Sequence, residues 1–196
     1  VLWFEADPGV FGLLLQHALK ILKPKLKENI WIAVDSSEFF RTANDGTAIK
    51  LGIGSSAAVS VGITQALSQY QAIRSSPENL LSQANSIHQG LQGKQGSGID
   101  VTCCFADQGV IECTKDSVKN HTWSILNWPN GLHLKTLTTS QYGSTNRLVA
   151  NYQRASNLYP KEFRSALDQF LDITQSLSNA WKSEDVDLII DLLRAY

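Results

Sequence analysis

The sequence predicts an α+β fold made of amphipathic helices and short strands. Apolar residues recur at intervals of three and four in several segments, and they alternate with polar residues in others. Helical and strand-like segments do not alternate strictly, which favours α+β over a parallel βαβ sheet. The 196 residues, 43% of them hydrophobic, suffice for one large or two small packed domains.

The first part of the chain predicts two helices around a strand and a loop. Residues 10–23 place apolar side chains at helical spacing. Residues 29–35 alternate as a strand does, with isoleucines on one side. The polar, turn-rich residues 36–47 predict a loop, and a helix follows from Ala57 to about residue 73.

The next helix has a well-defined start. Ser76, Pro77 and Glu78 have the residue types of an N-cap, a first helical position and an acidic first turn. The apolar pattern continues to Leu91, where the glycine-rich turn of residues 93–98 ends the helix.

The second half predicts further strands and then helices. Strand-like runs lie at residues 109–113, 121–125 and 132–137. A long helix opens near Pro160 and carries one continuous apolar stripe. Ser183 is predicted to cap a last helix.

Composition argues against several classes of protein. Charged residues make up 18% of the chain and the net charge is −1, which is not typical of a disordered chain or a general nucleic-acid binder. No apolar run is long enough to span a membrane. Without a basic segment and a cleavage site at its start, we do not expect a secreted protein. Three cysteines fit a reducing compartment, and we expect a cytoplasmic protein. The histidines and cysteines lack the spacing of a zinc site.

The first glycine-rich loop is suited to a phosphate group. It consists of Lys50, Leu51, Gly52, Ile53, Gly54, Ser55 and Ser56. Glycines permit a close backbone approach, and the following helix start offers unpaired N–H groups and two serine hydroxyls for a phosphate oxygen or a magnesium ion. The loop lacks the lysine of G-x-x-x-x-G-K-[ST] and the third glycine of G-x-G-x-x-G. Taken alone, it is equally well an ordinary turn and helix cap.

The second loop, residues 92–100, ends in Asp100. A carboxylate directly after such a turn can accept a proton from a substrate hydroxyl or contact a bound metal. The alternative is that Asp100 only caps the turn, as most loop aspartates do.

Three motifs in order resemble the GHMP kinases, which phosphorylate galactose, homoserine, mevalonate and phosphomevalonate. They are KLGIGSSAA at residues 50–58, GSGIDV at 96–101 and GSTNRLV at 143–149. The resemblance covers about residues 30–196 and implies a two-lobed fold. A ribosomal-S5-like N-terminal lobe would span residues 1–126, and part of a ferredoxin-like C-terminal lobe residues 127–196.

The resemblance also implies residue roles. ATP would bind with its phosphates in the first loop, with Ser56 as the hydroxyl on Mg²⁺. Asp100 would be the catalytic base or the electrostatic orienter of the acceptor. Ser97 and Thr145 would line the acceptor side, although Thr145 is equally well a hydroxyl that bonds its own backbone. The implied partner is a small-molecule acceptor, with no nucleic acid and no membrane, and the oligomeric state is left open.

Within the family, three features resemble the phosphomevalonate kinases. Lys50 precedes the glycine motif, Val101 follows Asp100, and a Trp-Pro pair at Trp128 leads into the next predicted strand. The implied reaction converts phosphomevalonate to diphosphomevalonate with ATP. A mevalonate kinase, another sugar or metabolite kinase, or a non-catalytic binding protein of the same fold are the alternatives.

Two departures from the family's pattern stand out. Mevalonate kinases carry a magnesium-binding glutamate eleven residues before the catalytic aspartate, and Gln89 stands there. The family's first lysine-bearing strand and its third glycine-rich motif are not visible, so we expect the middle part of a kinase, incomplete at both ends.

Several other residues have a structural interpretation. Cys103 and Cys104 are expected to pack in a buried element, and Trp123 and Trp128 in a core or between domains. We expect His88 to be a surface residue, although it could face the second loop. Lys94 and Arg147 are the nearest basic residues for an anionic substrate, with a solvated surface charge as the more common role.

Overall fold

The computed structural model describes residues 9–26, 28–43, 45–92, 97–106, 109–115, 121–136 and 145–196. The chain forms two compact units, Val1–Gln108 and Gly109–Tyr196. Both contain helices and strands, so the mixed α+β composition predicted from the sequence is confirmed.

The first unit contains four helices and one hairpin among its described residues. They are α1 (Gly9–Leu22), β1 (Phe40–Thr42), β2 (Ala48–Lys50), α2 (Ser55–Tyr70), α3 (Pro77–Gln92) and α4 (Ile99–Ala106). A 3-10 turn, Ser37–Phe39, leads into β1, which pairs antiparallel with β2. The expected start of α3 is confirmed, because the Asn79 amide donates to Ser76 Oγ.

The core of the first unit lies where α1, α2 and α3 meet. Its buried side chains are Leu14, Ala18, Ile63, Leu67 and Ile87. In α1 and in α2 the two buried residues are four positions apart, and α3 contributes one buried residue, Ile87. The spacing in α1 and α2 places each pair on one face of its helix. This packing holds α2 against α3, and α4 contacts both helices.

Two predictions in the first unit are wrong in part. Residues 29–35 form no strand, although Ile30 and Ile32 do pack against the helical core. The alternation of apolar and polar residues in this segment therefore results from packing against helices and not from pairing in a sheet. Residues 36–47, predicted as a loop, contain the 3-10 turn and β1, because the turn near Gly46 lets the chain pair back on itself.

The second unit consists of a hairpin and three helices in its described part. They are β3 (Val110–Lys115), β4 (His121–Leu126), α5 (Thr145–Leu158), α6 (Pro160–Lys182) and α7 (Val186–Ala195). The strands pair antiparallel with Val110 opposite Leu126. Both residues pack against the buried cluster of Ala180, Trp181 and Ile189.

Trp128 is 43% exposed and is therefore not the core residue that was expected, although its ring does pack within this unit. Its ring meets that of Trp181 edge to face at a centroid distance of 5.4 Å. Trp128 Nε1 donates to the Leu132 carbonyl, and Trp181 Nε1 donates to the Asn127 carbonyl. The two indoles thus fix the chain after β4 against α6.

Two predictions in the second unit are wrong. Residues 132–136, the described part of the third strand-like run, have no strand structure. The cap of α7 is Asp185, whose side chain accepts from the Leu188 amide, and Ser183 instead bonds back to the end of α6. The hairpin packs within the second compact unit, while the predicted lobe boundary after residue 126 stays a prediction. No helix in the described part of the chain is long and apolar enough to cross a membrane.

Candidate active site

The first loop connects β2 to α2 through two glycines in left-handed conformation. Gly52 has φ +74° and Gly54 has φ +85°, a region that residues with a Cβ rarely adopt. Gly54 is the N-cap of α2 and carries no side chain, so no side-chain hydrogen bond closes the helix start. The sequence places glycine at the two positions where this turn requires it.

The start of α2 is built to accept an anion. Helix geometry leaves the N–H groups of residues 55–57 without intrahelical partners, and the helix dipole adds partial positive charge there. Ser55 is 1% exposed, and its Oγ is a buried hydroxyl without a hydrogen-bond partner in the structure. Lys50, at the end of β2, is half-buried. These groups fit a phosphate chain, because each offers a donor or a positive charge.

The second loop enters α4 through Gly98, which has φ +77°. Thr102 Oγ1 and the Thr102 amide both donate to the Gly98 carbonyl, which fixes the first turn. Asp100 lies in that turn, and its Oδ1 accepts from the Val101 amide at 2.9 Å. Its side chain is 41% exposed, so the carboxylate is held in place and is still accessible.

His88 connects the two loops. It lies on α3, is 1% exposed, and its Nε2 is 3.0 Å from Ser56 Oγ. The same Nε2 is 3.7 Å from Asp100 Oδ2. Burial lowers the pKa of His88, and the nearby Asp100 carboxylate opposes this in part. Burial therefore favours the neutral ring.

The expectation of a surface His88 is wrong, and the sequence did contain a signal for its burial. The buried positions of α3 are Leu81, Ala84 and Ile87, at helical spacing. His88 follows Ala84 by four residues and therefore lies on the same face. A polar residue on the buried face of a helix, between two glycine-rich loops, was the signal.

The other predicted site residues have less defined surroundings. Ser97 is exposed, and its Oγ accepts from the Ile99 amide at 3.4 Å, a contact within the turn. Leu51 is half-buried and Ile53 is 62% exposed. Thr145 begins α5 in the second unit, and its side chain lies outside the described residues.

Parts of the predicted motifs lie outside the described residues as well. These are Gly96 and Lys94 of the second loop and residues 143–144 of the third motif. Arg147 is exposed on α5. Gln89 is half-buried beside His88 in α3. The roles expected of all these residues stay predictions.

Two oxygen-bearing groups near each other are available to a magnesium ion, Ser56 and Asp100. Among the described residues, no group of three or more His, Cys, Asp or Glu side chains could hold a metal. Magnesium is commonly held by one or two carboxylates together with substrate phosphates and water. Ser56 and Asp100 have the oxygen atoms that such a shared site would need from the protein.

The two neighbouring cysteines of α4 differ in exposure. Cys103 is exposed, which contradicts the expected burial, and Cys104 is half-buried. Burial raises the pKa of the Cys104 thiol, and the charges of Asp100 and Cys103 raise it further. The thiolate is the nucleophilic form of cysteine, so the structure disfavours reactivity at Cys104.

Comparison with known families gives one match, which covers most of the first unit. Residues 14–108 match the family model described as GHMP kinases N terminal domain. The match supports the GHMP kinase family. It includes both glycine-rich loops and His88, and it ends where the first compact unit ends. No curated protein and no solved structure matches the chain significantly.

Proposed function

We propose that the protein is an ATP-dependent kinase that transfers a phosphoryl group to a small-molecule acceptor. The observation that carries the proposal is the distance of 3.7 Å between Asp100 and His88, which in turn bonds Ser56. The Asp100 carboxylate therefore lies beside a loop that suits phosphates. The match to the GHMP kinase N-terminal domain supports the same reaction class.

The first loop would bind the nucleotide. Its residues are Lys50, Leu51, Gly52, Ile53, Gly54, Ser55 and Ser56. The open amides of the α2 start and the buried Ser55 hydroxyl would donate to phosphate oxygens. Magnesium bound with the nucleotide would neutralise phosphate charge, with Ser56 and Asp100 as the available protein oxygens.

Asp100 would face the acceptor with its exposed side. Oδ1 is held by the Val101 amide, so the carboxylate has a fixed direction from which to orient the attacking oxygen. For an alcohol it can also accept the proton that the hydroxyl loses. Ser97 and Thr145 are proposed to line the acceptor side.

Phosphomevalonate is the acceptor we favour, on the sequence features around Lys50, Asp100 and Trp128. A phosphate acceptor has a second pKa of about 6, so it needs little deprotonation at neutral pH. Asp100 would then act mainly by orientation, because phosphoryl transfer depends chiefly on positioning and charge neutralisation. The reaction would yield diphosphomevalonate.

The experiment measures ADP release by the complete gene product with Mg-ATP and one acceptor at a time: phosphomevalonate, mevalonate, galactose or homoserine. We expect turnover with phosphomevalonate and a loss of about 10²–10⁴-fold in Asp100→Asn. Asp172→Asn, an exposed carboxylate of α6, is the matched control and should keep the wild-type rate. Turnover with another acceptor would show that this compound, and not phosphomevalonate, is the substrate. Turnover that survives Asp100→Asn would contradict the role of Asp100.

A second candidate is a non-catalytic nucleotide-binding protein of the same fold. Gln89 favours it, since a neutral amide is a weaker magnesium ligand than the glutamate of mevalonate kinases. Thermal stabilisation by ATP, with and without magnesium, separates the two candidates. Stabilisation without turnover on any acceptor would support the binding protein, and no stabilisation by nucleotide would contradict both.

A further inference from the structure

We infer that His88 is a positioning residue for phosphoryl transfer, which holds the Ser56 hydroxyl of the nucleotide loop and the Asp100 carboxylate in a fixed arrangement. This inference rests on the proposed function and adds to it a residue that none of the sequence motifs contains. The observation behind it is that one atom, His88 Nε2, lies 3.0 Å from Ser56 Oγ and 3.7 Å from Asp100 Oδ2.

The position of the His88 ring is closely defined by its surroundings. It is 1% exposed and extends from the face of α3 that packs on α2. Asn85 lies about one turn earlier on α3. A Cβ built on Gly98 would be only 2.6 Å from Asn85 Oδ1, so α3 also packs closely against the start of α4. The helix that carries His88 therefore packs against both elements that carry the loops.

Nε2 can act on Ser56 in either direction. It can donate its proton to Ser56 Oγ, or it can accept the hydroxyl proton, depending on the tautomer. In both cases the contact fixes the position of Ser56 Oγ, and an apolar side chain at position 88 would leave the Ser56 side chain free to change rotamer. Fixed donors and charges contribute most when they are already oriented before the reaction.

Asp100 is constrained from two sides. Its Oδ1 accepts from the Val101 amide and its Oδ2 faces the His88 ring. Removing the ring would leave space on one side of the carboxylate and allow it to rotate. Because the open amides of the α2 start do not depend on His88, nucleotide affinity should change much less than the rate of transfer.

The alternative is that His88 only joins two helices. A matched contact tests this, because Ser60 Oγ donates to the Ala84 carbonyl at 2.8 Å between the same helices α2 and α3. Ser60 follows Ser56 by four residues and Ala84 precedes His88 by four, so this bond lies one helical turn away from the loops. Ser60→Ala removes a buried contact without touching Ser56 or Asp100.

The experiment compares His88→Gln, His88→Asn, His88→Phe and Ser60→Ala in the complete gene product with Mg-ATP and the best acceptor. Each variant is characterised by kcat, by KM for both substrates, by its affinity for Mg-ADP and by its melting temperature. The Gln amide nitrogen reaches about as far as Nε2, whereas the shorter Asn amide does not.

We expect kcat to fall about 30- to 100-fold in His88→Asn and His88→Phe, since small displacements of reacting groups cost rates of this size. Mg-ADP affinity should stay within about threefold, because the amides of the loop remain in place. His88→Gln should recover kcat to within about fivefold of wild type by restoring a polar atom beside Ser56 Oγ. Ser60→Ala should melt earlier and keep its kcat.

Three outcomes would overturn the inference. His88→Asn and His88→Gln could have equal kcat, Ser60→Ala could lose as much kcat as the His88 variants, or nucleotide affinity could fall in parallel with kcat. Failure of the proposed function is recognised separately, because the wild type would then show no turnover with any acceptor. The comparison of Asn with Gln uses two polar side chains, so it remains decisive if His88→Phe does not fold.

Discussion

Each compact unit contains an ionisable side chain that contacts more than one of its helices or strands. The two side chains differ in burial and in the groups beside them. In the first unit His88 is 1% exposed and has a hydroxyl and a carboxylate beside one ring nitrogen. In the second unit Glu112 of β3 is charged and lies near the surface, where its Oε1 accepts from Lys182 Nζ at 2.7 Å. The first arrangement lies between the two glycine-rich loops for which ligand binding is proposed, whereas the second lies between a hairpin and α6.

The contacts of Glu112 explain its structural role. Its carboxylate also accepts from Ser178 of α6 and, through Oε2, from Ser124 of β4. All of its named partners therefore lie in the hairpin or in α6, and together they tie the two elements to each other. The contacts of His88, by comparison, are two groups that the family resemblance places in catalysis. A polar contact between helices or strands is therefore evidence for function only when the groups in contact can themselves take part in a reaction.

The largest effect we expect distinguishes the two units at their left-handed glycines. Gly98 in the first unit has φ +77° and Gly131 in the second has φ +85°. Alanine at either position should cost about 1–2 kcal/mol of stability for the left-handed backbone. At Gly98 the new Cβ also overlaps Asn85 Oδ1, while nothing lies within 4 Å at Gly131. Gly98→Ala should therefore cost about 1 kcal/mol more, the low end for overpacking, because the overlapping atom is the end of a side chain that can turn.

Urea unfolding of both variants measures the difference. Adding Asn85→Ala to Gly98→Ala should return the cost towards that of Gly131→Ala, because the overlap is removed and the backbone strain remains. Equal costs for the two single variants would contradict a costly overlap between position 98 and Asn85.

The next effect is a difference in pH dependence. Burial lowers the pKa of His88 below its ordinary value of 6.5, so the unfolded chain takes up a proton there before the native protein does. Hydrogen bonds from Lys182 and then Ser178 lower the pKa of Glu112 below 4.5, with the same sign. Each group thus supports the native state fully above its unfolded value and loses this contribution as the pH falls through its native one.

Unfolding free energies measured from pH 7.5 to 3.5 test the two windows. We expect the wild type to lose stability first below pH 6.5 and again below pH 4.5. His88→Gln should reduce only the first decrease. Glu112→Gln should reduce part of the second, to which other carboxyl groups with a lowered pKa also contribute, with exposed Glu162→Gln as the control for Glu112. If Glu112→Gln changed the first window, or His88→Gln the second, the assignment of the windows would be wrong.

Local features of the molecule could be predicted from the sequence better than features that depend on long-range packing. Most of the helices and both glycine-rich loops follow from patterns within a few residues, such as the Ser76 cap and the glycines at the left-handed turns, whereas α4 and α5 were not predicted from such patterns. The strand expected at residues 29–35 does not form, because alternation shows that a segment is half-buried and does not show which element covers it.

The candidate site shows the same division. Ser56 and Asp100 are 44 positions apart in the sequence and were recognised separately by motif, since each motif is local. The His88 contact that joins them depends on how α3 packs between α2 and α4, and packing over that distance is not encoded in any short spacing. Only the helical phase of His88, four residues after buried Ala84, indicated that it faces inwards.

The smallest effect we expect concerns the cap of α7, where a local pattern gave the wrong residue. Asp185 accepts from the Leu188 amide at 3.0 Å, whereas Ser183 Oγ donates to the Ala180 carbonyl at the end of α6. Asp185→Ala should therefore cost the second unit about 1 kcal/mol, the usual value of an N-cap, because the amide loses its acceptor. Ser183→Ala should cost less than about 0.5 kcal/mol, since a partly exposed hydroxyl is replaced without an orphaned amide.

Urea unfolding followed by tryptophan fluorescence measures both, because Trp181 belongs to the same buried cluster as Ile189 of α7. Asp185→Asn serves as the matched variant, since asparagine is as good a cap as aspartate and keeps the hydrogen bond. A larger cost for Ser183→Ala than for Asp185→Ala would return the cap to the residue that the sequence pattern favoured. Ser183 would then cap its helix as Ser76 does, even though only Ser76 is followed by proline at the first helical residue.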